Sequence, residues 1–281
     1  MFGQTFSPNG AYHPSLIFIF GGGKIKRFDA TADPAVHLSV FADGSCASNI
    51  GKKSYIFSET VIRRFDGASV VTETATIPYG IGGDNSASTI DTEIFQFGGS
   101  GTSEFYGVSN KIFKWNEVSV SLVGTLAAAS HSHSSETLGE NIYILGGQNT
   151  EIFDTIQKWD GATTSTEASV LPENNSGASV AVVSNAIYIF GGWHDYGSYN
   201  TATRSIQKWD GTTISLLGAT LADLSEDDFA STLSNEAYIF GSGAFVGSGL
   251  HYIQKWNGTT ISSLSHKFAN NTGYCATSMS K

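Results

Sequence analysis

The sequence predicts an all-β fold, a six-bladed β-propeller of four-stranded antiparallel blades, and three observations carry that prediction. A phrase recurs: IQKWDG at 156–161 and 206–211 and IQKWNG at 253–258, with IFKWNE (112–117), IRRFDG (62–67) and IKRFDA (25–30) as weaker copies. A short apolar run precedes each copy: IFIFGGG (17–23), SYIFSET (54–60), IFQFGGS (94–100), IYILGGQ (142–148), IYIFGGW (187–193) and AYIFGSG (237–243). The aromatic that ends the phrase is Phe28, Phe65, Trp115, Trp159, Trp209 or Trp256, spaced 37 to 50 residues apart. A period near 45 made of short apolar runs and glycine turns fits propeller blades and not helical solenoids.

Each repeat reads as four strands. The first is small-residue, as in GASVAVVSN (177–185). The second, AIYIFGG, places Ile187 and Ile189 on one face and Tyr188 and Phe190 on the other. The third, IQKWD, sets Ile and Trp three apart and so on opposite faces. Strands apolar on both faces suit blades stacked face to face, not a sheet with one wet side. The fourth is TTISLLG. Asp66-Gly67, Asp160-Gly161, Asp210-Gly211 and Asn257-Gly258 join strands three and four, and predict two-residue type I′ hairpins with both residues at positive φ. The double glycines Gly98-Gly99, Gly146-Gly147 and Gly191-Gly192 predict turns too close for a Cβ. No helix follows them, so they do not read as phosphate cradles.

Closure is legible at the chain ends. The first strands align as CASNIGK (46–52), SASTIDT (86–92), SSETLGE (134–140), SVAVVSN (179–185), FASTLSN (229–235) and CATSMSK (275–281). The last has no second strand after it, and LIFIF (16–20) has no first strand before it. The C-terminal strand is therefore expected to complete the N-terminal blade, leaving no open edge. Residues 16–281 form the propeller and 1–15 an extension outside the repeat.

An apolar strand, a double glycine, a variable loop and an aromatic before a turn together resemble the Kelch repeat, over residues 16–281. The copies are degenerate. The tyrosine usual before the turn is Phe or Trp, the second tryptophan of strand four is missing, and blade 2 has Ser58-Glu59 for the double glycine. The resemblance implies a propeller and several possible chemistries. Copper oxidases of this type use a Tyr–Cys crosslink, but Cys46 and Cys275 both fall in inner strands. Acidic-peptide binders use arginines at the mouth, whereas Arg27, Arg63 and Arg64 lie in third strands and only Arg204 borders a long loop. Sialic-acid chemistry is disfavoured on the same ground.

Composition narrows the setting. Only 14% of residues are charged and the net charge is −10, so the basic stripe that nucleic acid requires is absent. No run of 18 apolar residues predicts a membrane span, and the N-terminus lacks the pattern of a signal peptide. Low charge with abundant Ser, Thr, Asn and Gly suits an extracellular or virion-surface protein, the alternative being cytoplasmic. Asn174, Asn257 and Asn270 head Asn-X-Ser/Thr triplets that matter only in a glycosylating route.

Loops 2–3 and 4–1 leave a blade on one face. The 2–3 loops are minimal in blades 1 and 2 but long in blades 3, 5 and 6 (99–110, 193–204 and 242–252). Their Phe105, Tyr106, Trp193, Tyr196, Tyr199 and Phe245, with His194 and Asp195, have the composition of an adaptable recognition surface. The plainer reading is that these aromatics cover the rim, Trp193 above all. The 4–1 loops add His131, His133, Asp227 and Asp228, a histidine pair and carboxylates that could meet around a metal. Solvated surface residues account for them equally, and no metal, cofactor or catalytic set is assigned. The expected function is a non-enzymatic binding or structural module. Its partner is a protein or a neutral glycan, with no nucleic acid and no membrane insertion, and membership of a larger assembly stays open. The alternatives are a carbohydrate-acting enzyme at the propeller mouth and an intracellular adaptor.

Overall fold

The computed structural model describes residues 15–39, 46–77, 83–101, 107–197, 200–223, 228–241, 250–269 and 275–280. Strands make up all the regular structure described, arranged as six four-stranded blades. From the axis outward, blade 2 runs Cys46–Ile50, Lys53–Ser58, Val61–Phe65 and Val70–Thr76. Blade 3 runs Ser86–Ile90, Glu93–Phe97, Lys111–Trp115 and Val120–Thr125. Blade 4 runs Ser134–Leu138, Asn141–Leu145, Ile156–Trp159 and Thr164–Thr166. Blade 5 runs Ser179–Val183, Ala186–Phe190, Ile206–Trp209 and Ile214–Leu216, and blade 6 runs Phe229–Leu233, Glu236–Phe240, Leu250–Trp256 and Ile261–Ala269. Blade 1 takes its inner strand, Cys275–Ser280, from the C-terminus, beside Ser15–Gly21, Lys24–Phe28 and Ala35–Leu38. The closing pair is antiparallel from Ser15↔Ser280 to Phe20↔Cys275, so the ring closes as its ends predict.

The core is six seams. Each cluster of buried apolar residues draws on two adjacent blades. Between blades 4 and 5 it holds Leu145, Ile187, Ile189 and Trp209, and between blades 5 and 6 it holds Tyr188, Phe190, Ile206 and Trp256. Ile206 and Trp209 thus serve opposite faces of one strand, as their spacing requires. The repeated aromatic has one job throughout: it packs on an aromatic of the preceding blade's second strand. Phe65 meets Phe18 and Phe20, and Trp115 meets Tyr55. Trp159 meets Phe95, Trp209 meets Tyr143 and Trp256 meets Tyr188. Phe28 meets Tyr238 and Phe240 of blade 6, which completes the circle. Such tilted and edge-on pairs are each worth ~0.5–1.5 kcal/mol beyond the area they bury.

The glutamine of IQKW is buried and holds the connection arriving from the preceding blade. Gln157 Oε1 accepts from the amides of Ala127 and Ala128, and Gln254 Oε1 from Ala222. Gln207 both accepts from Glu173 N and donates to Glu173 O. At the axis, the fourth residue of an inner strand bonds the same position of the preceding blade. Asn49 donates to Ser278 O, Thr89 to Asn49 O, Thr137 to Thr89 O and Thr232 to Val182 O.

The Asp-Gly turns differ from the expectation. Trp159 pairs with Thr164, so the loop holds four residues, 160–163, and not two. Only the glycine has positive φ (Gly161, +93°). The aspartate side chain instead caps the loop: Asp160 Oδ1 accepts from the amides of Ala162 and Thr163, and Oδ2 from the Thr163 hydroxyl. Asp66 and Asp210 repeat this, Asn257 keeps the two amide bonds, and so does Asn116 in blade 3 with Glu117 in the glycine's place at φ +70°.

Cys46 and Cys275 are buried and unbridged. They occupy the same position of adjacent inner strands, and equivalent positions around a ring face the same way. Cys275 accordingly lies in the seam of blades 1 and 2, and Cys46 in that of blades 2 and 3, within 3.9 Å of Gln96 Nε2.

Candidate functional site

The face bearing the 2–3 and 4–1 loops is organised by the double glycines. Gly146 and Gly147 both have positive φ, and a Cβ on Gly147 would stand 2.7 Å from His133 Cβ. The bare backbone lets Gly147 N donate to Asn175 O (2.8 Å), as Gly99 N donates to Ser130 O (3.0 Å). In blades 3 and 4 the 2–3 loop is so pinned to the 4–1 loop that follows it. His131 exchanges two backbone hydrogen bonds with Gln148, and Trp193 exchanges two with Ser176. Nearer the axis Asp84 and Ser132 take left-handed φ, and Ser132 N reaches Asp84 O while Gly177 N reaches Ser132 O.

On this scaffold blade 5 carries an extra hairpin, Trp193–Asp195 paired with Asn200–Ala202. Asn174 fixes it. Its side chain donates to Ile152 O and accepts from Asp195 N, and its carbonyl meets His194 Nδ1 at 3.0 Å. A carbonyl only accepts, so Nδ1 carries the hydrogen, and in the neutral ring Nε2 is left as an acceptor. Tyr196 stands edge-on to His194, 4.4 Å between centroids, and is 51% exposed. Trp193, Asp195 and His194 are half-buried, and the Trp193 backbone ties the hairpin's base to Ser176. The hairpin thus brings together His194, Asp195 and Tyr196.

The two histidines expected as a pair have different surroundings. His133 is buried against Gly98 and Gly147, with Nδ1 3.1 Å from the Ser130 hydroxyl. Burial pushes its pKa down to about 4, which leaves it neutral at physiological pH. His131 lies nearer the surface, with Nδ1 3.0 Å from Ser132 Oγ and 3.9 Å from Asp84 Oδ2. A serine–histidine–carboxylate relay needs contacts on both ring nitrogens. Here both fall on Nδ1. Asp228 packs against Gly241, whose missing Cβ leaves room for its carboxylate. Among the described residues no three His, Cys, Asp or Glu side chains gather as a metal site. Phe105, Tyr106, Tyr199, Asp227 and Phe245 lie outside the described residues.

Sequence reasoning missed Asn174, Asp84 and the blade 4 loop 146–155, which sits beside the hairpin. Asn174 was visible only as the head of a glycosylation triplet, and nothing local marks it as the hairpin's anchor.

The fold is that of a six-bladed propeller, and residues 175–210, essentially blade 5, match the family model described as Kelch motif. Among solved structures the chain is similar to one titled "Structure of YjhT", with a TM-score of 0.75 and 11% identity, covering 93% of this chain and 99% of that one. At that identity the likeness concerns the fold alone. No curated protein matches the chain.

Proposed function

We propose that the protein is a non-enzymatic binding or structural module, with its recognition surface on the 2–3 and 4–1 loop face and centred on the blade 5 hairpin. The observation that carries this reading is Tyr196: a half-exposed aromatic on a hairpin whose base is fixed by Asn174. A rigid aromatic loses little entropy on contact, and Tyr is a frequent anchor of binding surfaces. His194 Nε2 and the Asp195 carboxylate offer acceptors around it, which suits the hydroxyls of a neutral glycan or the amides of a protein segment. By chain order the 2–3 connections of blades 3 and 6 leave their blades at the same end. An extracellular or virion-surface setting follows from the low charge and the Ser/Thr/Asn/Gly-rich composition.

The test has two arms. An array of neutral oligosaccharides is probed with the intact protein, His194→Ala and Tyr196→Ala. A photo-crosslinking residue is placed at 196 or, on the opposite face, at 162, in the protein's native surroundings. The expected result is partner capture from 196 and not 162, or glycan binding that falls at least ~10-fold in the variants, about 1.4 kcal/mol, with melting unchanged. Capture from 162 alone places the surface on the other face. Turnover of an arrayed sugar makes the protein an enzyme.

A further inference from the structure

The inner strands are almost free of charge. At their third position stand Ser48, Ser88, Glu136, Ala181, Ser231 and Thr277, and Glu136 is the one carboxylate, with no Lys, Arg or His beside it, on the described inner strands. The ring's geometry fixes what each position meets. First, third and fifth residues face the following blade; second and fourth face the preceding one. Thus Ala181 and Val183 pack toward blade 6, while Val180 and Val182 pack toward blade 4. Ser48 meets Thr89 of blade 3 and Ser88 meets Ser135 of blade 4, hydroxyl to hydroxyl. In the next seam the pattern breaks: Glu136 faces the side on which Val180 and Val182 stand.

We propose that Glu136 is a proton-operated latch between blades 4 and 5, which tightens that seam when protonated and loosens it when ionised. Its Oε1 accepts from the amide of Thr137, and no ion pair to it exists among the described residues. Glu136 is partly buried on its strand. Burial pushes its pKa up to about 7, and the Thr137 amide offsets this only in part.

The neighbouring elements supply few other titratable groups. The inner strands of blades 3 and 5 carry none. The second strand of blade 4 gives Tyr143, whose burial raises its pKa further above 10, and that of blade 5 gives Tyr188, which faces blade 6. His133, at the entrance to the same strand, packs toward blade 3 and is uncharged above pH 4. Neither His133 nor Tyr143 changes charge between pH 5 and 8. The sign follows. A carboxyl whose pKa is raised in the folded state costs nothing below its unfolded value of about 4.3. As pH rises from there to the folded pKa, the unfolded chain gives up the proton that the folded one keeps, so stability falls, and the loss is complete above the folded pKa.

The test compares the wild type with Glu136→Gln and Glu136→Ser, the serine being what blades 2, 3 and 6 already hold there. Urea unfolding is followed from pH 5 to 8, with amide exchange at the inner strands. The proposal predicts a wild-type folding constant that falls up to ~10-fold per pH unit relative to both variants, the limit for one proton. Amide protection is lost first in Ser134–Leu138 and Ser179–Val183. Parallel pH profiles in all three proteins overturn the proposal, and so does a pH-dependent loss spread evenly over six blades. Should Glu136→Gln fail to fold, Glu136→Ser decides. Both readouts are independent of any partner, so they stand whatever the recognition surface binds.

Discussion

Blades 1 and 2 do the minimum that a propeller requires, and blades 4 and 5 do more. In the first pair the stacking aromatic is Phe28 or Phe65, and the 2–3 turns are Gly22-Gly23 and Glu59-Thr60. In the second pair it is Trp159 or Trp209, and the strands are parted by residues 146–155 and 191–205. Blades 4 and 5 also cut their outer strands to three residues and add the glutamine clamp, where blades 1 and 2 have Lys26 and Arg63. Ring closure therefore depends on the aromatic and the inner strand. The glutamine appears where a loop platform must be held firm.

The comparison breaks first at the closing strand. Deleting residues 273–281 removes the partner of Leu16–Phe20 and opens the seams on both sides of blade 1. The expected result is loss of cooperative thermal unfolding, because the deficit exceeds a domain's usual ~5–15 kcal/mol. Replacing the blade 5 hairpin tip, 195–200, by two glycines is expected to move the melting temperature little. If the ring deletion melts like the intact protein, closure is not what holds the framework.

The glutamine clamp gives the next effect. Gln207→Leu keeps the volume but leaves both polar groups of Glu173's backbone without the side chain they bond. A cost of ~1–3 kcal/mol in urea unfolding is expected. Lys26 in blade 1 lies 4.3 Å over the Phe268 ring, a partly solvated cation–π contact, and Lys26→Leu is expected to cost under ~1 kcal/mol. Equal losses would show that the clamp has no special part in blade 5.

The framework was legible in the sequence because its constraints are local and repeated six times. Alternation of Ile187, Tyr188, Ile189 and Phe190 names two faces, and the incomplete repeats at the ends name the closure. The turns were misread because Asp-Gly fits two loop lengths, and only the register Trp159↔Thr164 distinguishes them. The site was half legible. Tyr196 and His194 stand out as an aromatic and a histidine in a long loop. Their anchor, Asn174, lies about twenty residues away in another connection, and no periodicity links the two. His133 looked like the twin of His131, but a double glycine of each flanking blade closes over it.

Blade 1 departs from the others at Ala30, which has φ +65° where blades 2, 4, 5 and 6 place glycine. A Cβ in that conformation is strained, so Ala30→Gly is expected to stabilise by ~0.5–1 kcal/mol. Glu117 in blade 3 has the same strain at φ +70°, but its carboxylate accepts from Tyr55 Oη (2.5 Å) and Lys53 Nζ (3.0 Å). Glu117→Gly is expected to gain less or to lose. The reverse order in thermal melts would show that strain at this position is not what separates the blades.

The smallest difference lies among the capped turns, where blade 5 has Asp210 and blade 6 has Asn257. Both side chains accept from the amides two and three residues on. For Asp210 the Thr213 amide and hydroxyl and the Thr212 amide hold the carboxyl below its usual pKa. A depressed carboxylate contributes stability above its unfolded pKa of about 3.9 and loses it as pH falls through the folded value. Asn257 makes the two amide bonds with nothing to titrate. Asp210→Asn is therefore expected to melt with the wild type at pH 7, because Oδ1 keeps its partners. Between pH 4 and 2 the wild type should lose ground to the variant. A variant that is weaker at pH 7 would mean that charge, and not the acceptor geometry shared with Asn257, holds this turn.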